Sequence, residues 1–129
     1  MNILITGSNG FIGKFLKKSL FLKNEFVIFT DEDSRDLCYK ENWEKFKNID
    51  IVIHLASKTN SLESNEKSSY YLKNNLLSAI NALEFCKLNK CKIIFLSSYI
   101  YSRNAELPVK EDSEIDAINS YALSKKLIE

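Results

Sequence analysis

Glycine is scarce in this chain. It occurs three times among 129 residues, where average usage would give about nine. Proline, tryptophan, methionine and histidine occur once each. That composition excludes collagen-like and low-complexity chains. No apolar run approaches the ~18 residues a membrane-spanning helix needs. Neither sign of charge dominates: 18 Lys and Arg stand against 17 Asp and Glu, for a net charge of +1. No basic stripe is present, so nucleic-acid binding has no support. The cysteines, Cys38, Cys86 and Cys91, are odd in number and lack metal-ligand spacing. They read as reduced thiols of a cytosolic protein. No charged segment followed by an apolar one precedes the first strand, so no signal peptide is expected. With 45% hydrophobic and 27% charged residues, residues 1–129 read as one globular domain with a single core.

All three glycines sit in one stretch, Thr6-Gly7-Ser8-Asn9-Gly10-Phe11-Ile12-Gly13. It follows the apolar run Ile3-Leu4-Ile5 and precedes an amphipathic segment from Phe11 to Leu22. Strand, tight turn and helix is the context a dinucleotide-binding loop requires. A pyrophosphate needs unsatisfied N–H donors at a helix N-terminus, where the helix dipole adds partial positive charge. Gly7 is expected to adopt a turn conformation closed to residues with a Cβ. Gly10 is expected to let backbone approach the phosphates, and Gly13 to let helix and strand pack closely. The spacing is G-x-x-G-x-x-G, so a bare strand-to-helix turn is the competing reading.

The rest of the chain alternates strands with helices. Residues 2–6, 26–29, 51–55 and 93–96 read as buried strands. Residues 11–23 read as a helix with Phe11, Ile12, Phe15, Leu16 and Leu20 on one apolar face. A short helix is expected over 39–47. A long one is expected over 67–88, with Tyr71, Leu72, Leu76, Ile80 and Leu83 facing inward. A last helix starts near Asn119 or Ser120, either of which can serve as N-cap. Continuous apolar strands indicate an α/β fold with a doubly wound parallel sheet covered on both faces. Ligands then bind at the carboxyl ends of the strands. Thr6 to Gly10, Asp31, Ser57 and Ser97 all fall at such ends.

Asp31, just past the second strand, can accept hydrogen bonds from the ribose hydroxyls of an adenosine. With Glu32 and Asp33 it would repel a 2′-phosphate, which favours NAD(H) over NADP(H). Arg35 argues the other way, since a guanidinium binds phosphate. Asp36 and Leu37 fall where an adenine ring would be flanked. Tyr121 and Lys125 share a helix face one turn apart. A neighbouring ammonium stabilises a tyrosine's phenolate and makes it a better acid–base group. Ser97, with Ser98 as runner-up, can hydrogen-bond a substrate oxygen at the end of the fourth strand.

These motifs occur together and in order: T-G-x-x-G-x-x-G, an acid after the second strand, H-L-A-S, S-S-Y-I-Y and Y-x-x-x-K. The chain resembles the N-terminal part of an extended short-chain dehydrogenase/reductase of the nucleotide-sugar epimerase/dehydratase type. The resemblance implies a Rossmann domain that binds NAD, with NADP the less favoured cofactor. It implies Tyr121 as catalytic acid–base, Lys125 as its partner and as a holder of the nicotinamide ribose, and Ser97 as the catalytic serine. Gly7, Asn9, Gly10, Phe11, Ile12, Gly13, Asp31, Asp36 and Leu37 would contact the cofactor, with Leu55, Ala56 and Ser57 lining its groove. Asn75 would tie the long helix to the neighbouring strand. Tyr99 falls where a substrate-facing residue is placed, and His54 reads as structural. The implied reaction is hydride transfer between a nucleotide sugar and the nicotinamide, followed by epimerisation, dehydration or reduction.

Members of that family are more than twice this length. The resemblance therefore implies an incomplete Rossmann domain lacking the substrate domain, and a cytoplasmic location. As it stands the chain is expected to be an inactive fragment or a half-enzyme needing a complementing chain. The homodimerisation common in the family is a further expectation. A non-catalytic dinucleotide-binding or protein-interaction module is the alternative. The strand at 93–96 is expected to form an exposed apolar edge.

Overall fold

The computed structural model describes residues 1–22, 27–30, 36–102 and 104–129, with the backbone alone at 27–30. Contacts gather the chain into two compact units. The first comprises Met1–Ser57 and Leu77–Leu96, and the second Lys58–Leu76 and Ser97–Glu129.

The first unit holds four strands: β1 (Asn2–Thr6), β2 (Val27–Thr30), β3 (Ile51–His54) and β4 (Lys92–Phe95). They form one sheet in the order β2-β1-β3-β4, and every pairing is parallel. The register aligns Leu4 with Val52 and Val52 with Ile93. The adjacent row is Ile5, Ile53 and Ile94. Alternation along each strand puts these rows on opposite faces of the sheet.

The Leu4 row faces the core. Leu4 and Val52 pack with Leu37, Trp43, Phe46, Ile49, Ala82, Phe85 and Cys86. Trp43 ends a 3₁₀ turn, Lys40–Trp43, where the sequence led us to expect a longer helix. The indole N–H of Trp43 donates to the Leu37 carbonyl at 3.0 Å, so its buried polar atom is satisfied.

The opposite face is less covered than the sequence suggests. Ile3 and Ile5 are buried, Ile51 and Ile53 are half-buried, and Ile94 is 53% exposed. Helix α1 (Phe11–Phe21) packs on β1 and β2, at one side of the sheet. Its expected apolar stripe is not buried. Gly13 is the buried residue of α1, Leu16 and Leu20 are half-buried, and Phe11, Ile12 and Phe15 are exposed. Gly13 packs closely on the turn at Gly7 and Ser8, while the rings of Phe11 and Phe15 are left exposed.

Helix α3 (Ser68–Asn89) runs through both units. Its inner face includes Tyr71 as expected but shifts from the expected one further along. Ala79, Ala82, Phe85 and Cys86 are buried, whereas Ile80 and Leu83 are nearly half exposed. Two alanines on the inner face let the helix axis approach closely, which bulkier side chains would prevent.

The second unit contains α2 (Ser61–Glu66), the start of α3, and α4 (Ser120–Ile128). Apolar periodicity could not reveal α2, because Leu62 is its only large apolar residue. Its signal is a cap: Asn60 Oδ1 accepts from the backbone N–H groups of Leu62 and Glu63, both at 3.1 Å. Tyr71 donates its hydroxyl to Glu63 at 2.7 Å, and Lys67 pairs with the same carboxylate at 2.7 Å. The bonds from Lys67 and Tyr71 hold the Glu63 carboxyl below its ordinary range. The segment before α4 is pinned by a Tyr101–Ile115 bridge and by Ser102 N–H donating to the Glu114 carbonyl at 2.9 Å. Asn119 caps α4, accepting from Ala122 N–H at 2.8 Å.

Candidate cofactor and catalytic sites

The turn after β1 is built around Gly7. Its φ is +68°, and a Cβ there would lie 2.7 Å from Ala56 N and 2.9 Å from Ala56 Cα. Conformation and space both require glycine. Thr6 locks the same approach from its other side. Its buried hydroxyl accepts from Ala56 N–H at 3.2 Å and shares a 2.9 Å hydrogen bond with His54 Nδ1. Its carbonyl accepts from Leu55 N–H at 3.2 Å. Buried His54 stacks on Phe95 with ring centroids 6.2 Å apart, in the structural role expected of it.

Gly13 serves a different contact from the one expected. A Cβ there would meet the Gly7 carbonyl oxygen and lie 2.7 Å from Ser8 Cα, so the close packing is between helix and turn. Gly10 is the N-cap, and its N–H donates to the Gly7 carbonyl at 2.9 Å. Among the described residues no side chain caps α1, and its first turn holds no acidic residue. Asn9, Gly10, Phe11 and Ile12 are exposed at this end. An exposed helix N-terminus with no acidic residue in its first turn suits an anionic group.

Leu55, Ala56 and Ser57 are half-buried beside the turn. Asp36 is exposed and accepts from Cys38 N–H at 2.9 Å, forming a local turn. Leu37 is buried in the core, and its carbonyl accepts from Asn81 as well as Trp43. It braces this region through backbone and core packing. Asp31, with Glu32, Asp33 and Arg35, lies outside the described residues.

In the second unit Tyr121 and Lys125 meet on α4. Lys125 is buried, and its Nζ lies 5.8 Å from the Tyr121 ring centroid. Burial lowers its pKa from 10.5 to about 8, against an opposing pull from Glu129. Asn75 makes paired bonds to one peptide unit. Its Oδ1 accepts from Lys58 N–H at 2.8 Å and its Nδ2 donates to the Lys58 carbonyl at 3.1 Å. The Ser97 hydroxyl is shielded from solvent and makes no hydrogen bond among the described residues. Tyr99 is exposed, with its ring edge-on to Tyr101. Thr6 was marked by the sequence as a strand-end residue, without its bonds to His54 and Ala56; the hydroxyls of Ser64 and Ser124 escaped the reading, since nothing in their spacing marks them.

Residues 3–129 match the model of the NAD dependent epimerase/dehydratase family. The chain belongs to this family. It is 33% identical to a GDP-6-deoxy-D-talose 4-dehydrogenase of Aggregatibacter actinomycetemcomitans, covering 100% of this chain and 46% of that protein. It is 31% identical to a UDP-glucose 4-epimerase of Pisum sativum, covering 98% and 45% of the two chains. Among solved structures it resembles a UDP-glucose 4-epimerase from Bifidobacterium longum in complex with NAD+ and UDP. That match has a TM-score of 0.88 and 26% identity, and covers 99% of this chain and 47% of the other. The chain spans about half the length of these epimerase/dehydratase relatives. The parallel sheet is thus the Rossmann sheet of the family. Among the described residues no helix is long and apolar enough to cross a membrane, and no cluster of potential metal ligands occurs.

Proposed function

We propose that this chain is the dinucleotide-binding part of an NAD-dependent enzyme acting on a nucleotide sugar. The observation that carries the reading is the Gly7 turn, locked against the Leu55–Ala56 backbone and opening onto an exposed helix N-terminus. The residues fit a dinucleotide. The backbone from Asn9 to Gly13 would hold the pyrophosphate, Asp31 the adenosine ribose, and Leu55 to Ser57 the groove wall. When bound, the nicotinamide supplies a hydride acceptor.

Tyr121 is the acid–base that takes the proton of a sugar hydroxyl. Lys125 as an ammonium stabilises the resulting phenolate, and its pKa of about 8 keeps it mostly charged at neutral pH. Among the described residues the Ser97 hydroxyl has no competing bond, which suits it to hold the substrate oxygen. Asn75 fixes the backbone at Lys58. The acid–base term contributes roughly 10²–10⁴ in rate. These 129 residues on their own bind dinucleotide without turnover.

One observation favours a second reading, a protein-interaction module. Ile94, Leu96, Phe11 and Phe15 are all exposed, and the largest apolar patches mark contact surfaces. A complementing polypeptide, or a second copy, would meet the chain there.

Fluorescence titration of the purified chain with NADH and NADPH tests the main reading. Saturable NADH binding is expected, weakened about tenfold or more in Asp31→Ala. Absence of binding by a folded chain overturns it in favour of the interaction module.

A further inference from the structure

Helix α4 carries Tyr121 and Lys125. Helices in proteins are held chiefly by tertiary packing, so how α4 docks decides where this pair sits. Its docking is unusually polar. Ser124 is wholly buried. Its Oγ donates to the Tyr121 carbonyl at 2.6 Å and accepts from Asn75 Nδ2 at 2.9 Å. Asn75 is itself bound to both backbone groups of Lys58. One hydroxyl thus links the turn bearing Tyr121 to α3, and through it to the chain at Lys58.

A second buried serine acts at the first turn of α4. Ser64 on α2 donates its hydroxyl to the Ser61 carbonyl at 2.7 Å and accepts from Tyr121 N–H at 3.3 Å. That N–H is one of the donors a helix start leaves unpaired, and Asn119 satisfies another, at Ala122. Apolar side chains could glue α4 in several rotations. Two directional hydroxyls at opposite ends of the Tyr121 turn fix one.

We propose that Ser124, backed by Ser64, is a positioning residue that sets the rotation of α4 and so the placement of Tyr121 and Lys125. The inference rests on the reading of that pair as the acid–base machinery. Neither serine touches the reacting groups directly. The role of Ser124 is to hold the Lys125 side chain in its buried place beside the Tyr121 ring. Removing the hydroxyl would free α4 to rotate and bring the ammonium toward water. Among the described residues, the titratable groups that act on Lys125 here include Glu129 and the Tyr121 ring beside it.

The test follows the Lys125 13Cε shift of the labelled full chain from pH 6 to 11. The wild type is expected to titrate near pH 8. Ser124→Ala is expected to move the midpoint upward by about one unit, a tenfold change in the amine fraction at a given pH. Cys86→Ala, which loosens the core of the first unit, lowers thermal stability and leaves the midpoint in place. A folded Ser124→Ala chain with an unmoved midpoint overturns the proposal. If Ser124→Ala does not fold, Ser64→Ala is read in the same way, with the same two outcomes. The readout needs no cofactor. Failure of NADH to bind the wild type would count against the functional reading and leave the positioning result standing.

Discussion

Gly7 carries two constraints whose costs add. Alanine there must hold a left-handed backbone and also push its Cβ into the Leu55–Ala56 peptide. We expect Gly7→Ala to cost about 3 kcal/mol in urea unfolding, combining left-handed strain with overpacking. NADH binding should fall with it. A loss below about 1 kcal/mol would show that the turn relaxes and that glycine is not required there. The sequence displayed the need for glycine at this position but not its partner, because Ala56 is distant in the chain and close only in the fold. Cys86 poses the opposite case, a reactive group made inert. It is buried, its thiol is pushed up to about 12 by desolvation and by Cys91 nearby, and its Sγ lies 3.8 Å from the Lys92 carbonyl. At pH 8 a thiol reagent should label half-exposed Cys38 while sparing Cys86 until denaturant is added. Mass spectrometry of the labelled peptides decides it, and equal rates for the two would contradict the burial.

At the scale of the element, α4 holds a charge that folding penalises. The Lys125 pKa in the folded state, about 8, lies below its ordinary 10.5. Below pH 8 the lysine is charged in both states, and the folded chain bears the full desolvation cost. Between pH 8 and 10.5 the unfolded chain binds a proton that the folded chain does not, so stability from this group rises with pH. Lys125→Met should therefore stabilise the chain at pH 7, on the order of 2 kcal/mol, with the gain shrinking toward pH 10.5. A gain that is flat with pH would mean the ammonium is not buried. The one-turn spacing of Tyr121 and Lys125 was legible in the sequence, as was a cap at Asn119 or Ser120, of which the structure uses Asn119. Burial of Lys125 was not, because the bonds that dock α4 come from Ser64 and Ser124, polar residues with no periodic pattern. The strands β1, β3 and β4 were legible because both faces of each are apolar in sequence. The rotation of α1 was not, since apolar periodicity marks a stripe without saying what covers it.

For the whole molecule, the open face of the sheet decides behaviour in solution. β4 ends the sheet among the described residues, with Ile94 53% and Leu96 41% exposed. On α1 the rings of Phe11 and Phe15 are 83% and 69% exposed and lie 6.0 Å apart. An edge strand that is apolar beyond its first residue, Lys92, is a template for association. We expect sedimentation velocity to show concentration-dependent self-association of the purified chain. Ile94→Lys places a charge on the open face without entering the Leu4 core. It should shift the population toward monomer while changing thermal stability little, since the side chain it replaces is already half in water. Val52→Ala provides the contrast. It removes a fully buried side chain from the opposite face, so it should destabilise by about 2–3 kcal/mol without dispersing the oligomers. If Ile94→Lys leaves association unchanged, the exposed face is not the contact. Attention would then move to Ile80 and Leu83 on the outer side of α3, the other exposed apolar pair that the shifted packing of that helix creates.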